Sequence, residues 1–171
     1  MEQKIDYPKF LKELDKKLNA CFLEQKDFIH CKAGCSACCE KGDYPLSDIE
    51  LEYLMQGFIN LEPEKKIIVQ ENFKTMKKGG KCPFLIDKLC SIYPYRPIIC
   101  RTHGLAYLMK DGRANVPYCA NEGKNYSEVY KDGELLSEPI KENLSTQNIL
   151  LNLADSRTVK NLYDWVKTNG S

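Results

Sequence analysis

Between Asp6 and about Phe28 the apolar residues Phe10, Leu11, Leu14, Leu18, Cys21 and Phe22 return at intervals of three and four, the period that gathers side chains on one face of an α-helix. Asp6 stands where an N-cap belongs, and Pro8 falls in the first turn, where a missing N–H costs nothing. Cys21 lies on the apolar stripe and reads as a small core hydrophobe. A second helix is predicted through Ile49, Leu51, Leu54, Met55 and Phe58, opened by Ser47 with Glu50 three residues on, the capping-box pair. Pro63 then restarts a helix carrying Ile67, Ile68 and Phe73, which two glycines, Gly79 and Gly80, stop. The middle of the chain is therefore expected to be a helical hairpin.

Beyond it the pattern shortens. Phe84-Leu85-Ile86 and Leu89-Cys90-Ser91-Ile92 flank Asp87-Lys88 and suggest a small hairpin or compact turn. Leu105 to Met109, followed by Lys110-Asp111-Gly112-Arg113 and a return to Val116, is a second hairpin with Asp-Gly as its turn. Residues 120 to 136 read as polar and irregular, after which helical periods run from Glu138 to Asn152 and from Ser156 to Thr168, the latter with Val159, Leu162, Trp165 and Val166. The expected class is mainly α with some β: helices around a cysteine-rich, metal-binding loop core, with one or two short β-hairpins. No repeat or Pro-, Gly- or Ser-rich linker divides the chain, so a single domain over 1–171 is expected, its metal core at about 31–119 and its C-terminal helices at about 138–168.

Composition narrows the function. A chain of 171 residues buries roughly 70% of its unfolded surface, so it has no need of disulfides merely to hold a core. Its start has no apolar stretch of signal-peptide length and no run approaches the roughly 18 apolar residues of a membrane span; a cytoplasmic protein without a membrane partner is expected. In a reducing compartment nine cysteines, an odd number, point to metal or catalysis rather than disulfides. With 25 basic and 24 acidic side chains intermixed and a net charge of +1, there is no basic stripe for a phosphate backbone, and nucleic acid is not expected as a partner.

Eight of the nine cysteines fall into two blocks, Cys31, Cys35, Cys38, Cys39 and Cys82, Cys90, Cys100, Cys119. Clustered thiolates are soft ligands that select zinc, iron in iron–sulfur clusters, or monovalent copper. In the first block the C-x3-C-x2-C spacing is short enough for one loop to wrap a cluster. Gly34 permits positive φ there, and the small Ser36 and Ala37 leave backbone N–H groups near the sulfurs. Cys38 and Cys39 are adjacent, and in an extended backbone they would point to opposite sides and serve different metals. In the second block Pro83, Pro94 and Pro97 stiffen the backbone, and proline after a cysteine also occurs in ferredoxin cluster runs. These cues lean toward a 4Fe-4S cluster, with zinc close behind; two four-thiolate sites and one cluster with neighbouring thiols both remain open. The C-x3-C-x2-C spacing is also that of radical-SAM cluster loops, yet the chain has neither the length of a β/α barrel nor a nucleotide-binding glycine loop.

Taken together, Cys31-x3-Cys35-x2-Cys38-Cys39 and Cys82-Pro83-Phe84-Leu85, Cys90-x-Ile92-Tyr93-x2-Arg96-Pro97-x2-Cys100-Arg101 resemble the YkgJ-like cysteine-cluster family, described as a zinc- or iron-chelating domain. The resemblance covers about residues 31 to 119. It implies that Cys31, Cys35, Cys38, Cys39, Cys82, Cys90, Cys100 and Cys119 are the metal ligands. Flagellin lysine methylases carry a similar cysteine domain, but this chain is shorter and follows Cys119 with helices alone, so methyl transfer is not carried over.

A thiolate-rich site needs nearby positive charge or N–H donors. Arg96 and Arg101 bracket Cys100 and are expected to support the cofactor, bonding sulfur or holding a substrate anion. His103 and His30 are alternative zinc ligands, though eight thiols already supply full sets. Tyr93, Tyr95, Tyr107 and Tyr118 are expected to pack around the site, and no acidic residue is paired with a base in the manner of acid–base catalysis. Three functions fit: a cluster-dependent redox or transfer enzyme, a structural zinc module that binds a protein partner through an apolar patch near Trp165, and a metal-delivery protein.

Overall fold

A computed structural model describes residues 5–151, 153 and 158–169. In chain order the elements are α1 Tyr7–Glu24, α2 Ala37–Glu40, β1 Pro45–Ser47, α3 Asp48–Ile59, α4 Pro63–Thr75, β2 Leu85–Ile86, β3 Leu89–Cys90 and α5 Ile98–Thr102. There follow β4 Tyr107–Leu108, β5 Ala114–Asn115, β6 Tyr130–Lys131, β7 Glu134–Leu135, α6 Thr146–Leu151, β8 Val159–Asn161 and α7 Leu162–Asn169. The class is α+β and mainly helical, with its strands in two-stranded antiparallel pairs. The chain forms two compact units, one of Met1–Cys31 with Cys100–Asp155, the other of Lys32–Ile99 with Ser156–Ser171.

In the first unit α1 starts where Asp6 accepts the Lys9 N–H at 3.0 Å and buries Tyr7, Leu11, Leu14, Leu18 and Cys21 along one face. Tyr126 is fully buried with Ala106 and Ala120; its ring stacks on Phe28 at 5.6 Å and its hydroxyl donates to Gln25 Oε1. β4 and β5 form the hairpin expected around Asp111-Gly112. A second hairpin, β6 with β7, lies in the segment read as irregular. The helix expected from Glu138 begins only at Thr146, because Ile140 is committed elsewhere: its carbonyl accepts the Leu108 N–H and its N–H donates to the Ala106 carbonyl beside β4. Pro139 also disfavours helix at Glu138, and Ser145 caps the shorter helix by accepting the Asn148 N–H. Asn152, the expected end of this helix, lies outside the described residues.

In the second unit β1 pairs with β8, Leu46 opposite Lys160, and runs directly into α3. The expected capping box is present, with Ser47 and Glu50 serving each other. The core is Leu46, Leu54, Val69, Met76, Phe84, Ile92 and Leu162, with Phe73 set edge-on to Phe84 at 5.3 Å. α4 turns Val69 inward and leaves Ile67 and Ile68 exposed. β2 and β3 make the small hairpin, with Asp87 and Lys88 both at positive φ in its turn, as a two-residue hairpin whose twist matches its strands requires. The expected helix over 156–168 is a correction: Val159–Asn161 is the strand β8 and the helix α7 starts at Leu162, while 156 and 157 lie outside the described residues. Trp165 is not an exposed patch. It is half-buried against the core and its indole N–H donates to the Leu46 carbonyl at 3.0 Å.

Candidate metal centre

The eight clustered cysteines divide between the two units. Cys31, Cys100 and Cys119 belong to the first; Cys35, Cys38, Cys39, Cys82 and Cys90 belong to the second. Among the described residues no three thiol, imidazole or carboxylate side chains lie within reach of one common ion, so the sulfurs approach one another without completing a coordination shell.

In the second unit Lys32 and Cys35 close a turn, Cys35 N–H to the Lys32 carbonyl at 2.9 Å, with Gly34 at φ 87°. The chain then enters α2, and this corrects the expectation for Cys38 and Cys39. Their backbone is helical rather than extended, so neighbouring side chains diverge by about 100° instead of 180°, and the two Sγ atoms lie 4.0 Å apart. The hydroxyl of Tyr44 holds the end of this turn by donating to the Cys38 carbonyl at 2.9 Å. Asp43, buried, accepts N–H bonds from Gly79 and from Tyr163 of α7, both at 2.8 Å, and so fastens the loop behind the cysteines.

Cys82 is brought against this turn through its backbone: its N–H donates to the Cys39 carbonyl at 2.8 Å. The approach needs Gly42, where a Cβ would stand 2.4 Å from Cys82 Cβ and 2.9 Å from the Cys39 carbonyl oxygen. Gly42→Ala is therefore expected to destabilise the chain by about 2 kcal/mol, the scale of overpacking where backbone must shift, and to weaken metal retention with it. Denaturant titration with metal analysis checks this; an unchanged midpoint would show that the contact is slack.

The electrostatics of these thiols are opposed in an informative way. A hydrogen bond from the Cys39 thiol, then N–H groups of Cys38 and Cys39 and the charge of Arg96, lower Cys38 to about 7 against the effect of burial. Burial pushes Cys82 up to about 12, although the residue as a whole is only partly covered, while the Phe84 and Leu85 N–H groups act the other way by bonding its sulfur. Burial also raises Cys90, opposed by the Ile92 N–H and by Arg96. The negative charges of Cys38 and Cys90 both bear on Cys82. The ionised forms of these three thiols disfavour one another, and N–H groups beside each sulfur act the other way.

Arg96 thus stands beside two of the thiols, with its guanidinium 3.5 Å over the Tyr93 ring and its Nε donating to the Tyr93 carbonyl. Arg101 is placed differently. It is buried in the first unit, and one guanidinium nitrogen donates to both carboxylate oxygens of Asp15, at 2.8 and 2.6 Å.

In the first unit Cys31 is exposed and accepts a bond from the Nδ2 of buried Asn125 at 3.1 Å, and Asn125 also takes the His30 N–H on its Oδ1. Cys119 is buried and Cys100 half-buried at α5. The polar support that Asn125 gives Cys31 was missed in the sequence, because 94 positions separate the two. His103 is partly buried against Tyr118, with burial shifting its imidazole downward from the ordinary range, and His30 faces Glu128 at 3.0 Å. Cys21 packs in α1 as expected, its thiol raised by burial.

A family model, CxxCxxCC, described as "Putative zinc- or iron-chelating domain", matches residues 30–126, more than half of the chain. No curated protein and no solved structure matches it.

Proposed function

The chain belongs to the CxxCxxCC family, a zinc- or iron-chelating domain, and on that premise we propose that its clustered thiols bind zinc or iron as the resident cofactor of a cytoplasmic protein. The observation that carries this is the grouping of Cys38, Cys39, Cys82 and Cys90 in the second unit, with the Cys38 and Cys39 sulfurs 4.0 Å apart and the Cys82 N–H bonded to the Cys39 carbonyl. The donor type suits the group, since thiolates prefer these metals to harder cations. Bound zinc would supply a closed structural node, bound iron a redox centre.

The protein's own contribution is a set of donors and a positive charge that favour the thiolate form against the effect of burial. The N–H groups of Phe84, Leu85 and Ile92 bond the sulfurs of Cys82 and Cys90, and Arg96 offsets part of the charge. Cys31, Cys35, Cys100 and Cys119 complete the proposed ligand list. A 4Fe-4S cluster is the second reading, favoured by the C-x3-C-x2-C spacing of the first block.

Cysteine-to-serine variants test the reading, since a hydroxyl is a poor replacement for a thiolate. Cys82→Ser should lower the metal content of the purified protein, measured by elemental mass spectrometry, whereas Cys21→Ser should leave it unchanged. Equal loss in both variants would mean that metal follows general stability rather than ligation. No helix among the described residues is long and apolar enough to cross a membrane.

A further inference from the structure

Charges of both signs are intermixed along the chain, yet the second unit gathers lysines on one side. From Asn72 to Ile86 the sequence holds Lys74, Lys77, Lys78 and Lys81 and no carboxylate. Glu71 neutralises Lys74 at 2.6 Å; the other three are exposed on the turn that follows α4. Two further segments bring lysines to this turn. Lys41 arrives through the cysteine loop: the Cys82 N–H donates to the Cys39 carbonyl at 2.8 Å and Gly42 lies against Cys82, so Lys41 and Lys81 stand on adjoining backbone. Lys167 arrives through α7. Its ammonium stands 5.6 Å over the Tyr163 ring, and Asp164, three residues before it, reaches Lys78 at 3.6 Å.

Asp43 joins the three segments. Its carboxylate is buried, and its two oxygens accept the Gly79 N–H from the lysine turn and the Tyr163 N–H from α7, both at 2.8 Å. An acid that could have offset the lysines at the surface is thus turned inward, and the bonds it makes draw the lysines together. Beside it, only Glu40 and Asp164 stand against Lys41, Lys77, Lys78, Lys81 and Lys167 in segments 39–43, 76–82 and 162–168. Like charges gathered this way repel one another, and an acidic partner would relieve that repulsion.

The chemistry of the face selects among polyanions. Its cations are all lysines, point charges without the planar fork with which arginine clasps phosphate. Tyr163 and Trp165 are partly buried against the core, and Lys167 and Lys160 stand over their rings, which covers the faces that would stack a base. No large apolar side chain is exposed in segments 76–82 and 162–168 to enter a bilayer. What is left is attraction between point charges, which suits the carboxylates of a protein surface and gives fast, salt-sensitive association.

We infer that Lys41, Lys77, Lys78, Lys81 and Lys167 form a docking surface for an acidic segment of a partner protein. The inference goes beyond the chelating reading and does not depend on it. Lys41 and Lys81 flank Cys39 and Cys82 in the sequence, so a partner seated on this face would lie beside the thiols.

Fluorescence anisotropy of a labelled poly-glutamate peptide, titrated with the full chain at low ionic strength, tests it. The wild-type chain is expected to bind the peptide and to release it as salt is raised. Lys77→Glu combined with Lys81→Glu should weaken binding on the order of tenfold, and Lys77→Gln combined with Lys81→Gln by less. Lys12→Glu combined with Lys65→Glu makes the same change in net charge at exposed positions outside the face, and should leave binding close to wild type.

A wild-type chain that ignores poly-glutamate, or an equal loss in the two pairs of glutamate substitutions, overturns the assignment. So does tighter capture of single-stranded poly-uridylate or of phosphatidylserine vesicles than of poly-glutamate, which would make the face a nucleic-acid or membrane surface instead.

Discussion

Glu50→Ala is expected to cost the chain about 4 kcal/mol, more than any other single surface or core change considered for this fold. The Glu50 side chain is buried and accepts three bonds, from the Ser47 N–H at 2.6 Å, the Ser47 hydroxyl at 2.7 Å and the Ile98 N–H at 2.8 Å. It therefore caps the start of α3 and fixes the start of α5 with one carboxyl group. Alanine would leave those donors buried without their acceptor, and each costs about 1–3 kcal/mol. Urea titration reads the effect; a loss below about 1 kcal/mol would mean that water replaces the carboxylate and that the site is looser than the distances imply.

The same residue has a signature in pH. Burial raises the Glu50 carboxyl above the usual carboxylate range, although the Ser47 and Ile98 donors act the other way. A folded-state value above the unfolded one means that the group's contribution is fully present below the unfolded value and declines as pH rises through the folded one. Glu50→Gln keeps the shape and does not titrate, so the wild-type chain should gain stability relative to Glu50→Gln on acidification from neutral pH. A constant difference between the two proteins across that range would show that Glu50 does not change its protonation on folding.

The second large effect concerns the metal. Stripping it with a strong chelator should lower apparent stability by about 4 kcal/mol where free metal had stood near a thousand times its dissociation constant, and the loss should reverse when zinc or ferrous iron is restored. The reason is mass action: metal that binds the thiols of the folded chain and not of the unfolded one stabilises the folded state. A thermal melt that is indifferent to chelator and to added metal would show that the thiols contribute to folding only as small apolar side chains.

Much of this fold was legible locally. α1 and α3 announce themselves by helical period and by caps that the structure shows formed, Asp6 on Lys9 and Ser47 with Glu50. The β2–β3 and β4–β5 hairpins were marked by their turns, and the β6–β7 hairpin was not. Most of what else stayed hidden is non-local. β8 is three residues long and pairs with β1 from more than a hundred positions away, and Ile140 leaves its helical pattern to bond β4; neither choice leaves a trace in the periodicity of its own segment. Arg101 illustrates the same limit: its bonds to the Asp15 carboxylate span 86 positions and leave no local signal. For the candidate site, the clustering and the soft-donor chemistry were plain in the sequence. Which sulfurs meet was not, because it depends on Cys38 and Cys39 being helical and on Gly42 admitting Cys82.

The most direct measurement is the metal and acid-labile sulfide content of the full chain, with a visible spectrum, purified without oxygen or added chelator. The account predicts zinc or iron bound at about one ion or more per chain, and that metal lost in Cys82→Ser. A chain that carries neither zinc nor iron, and takes up neither when supplied, would contradict it.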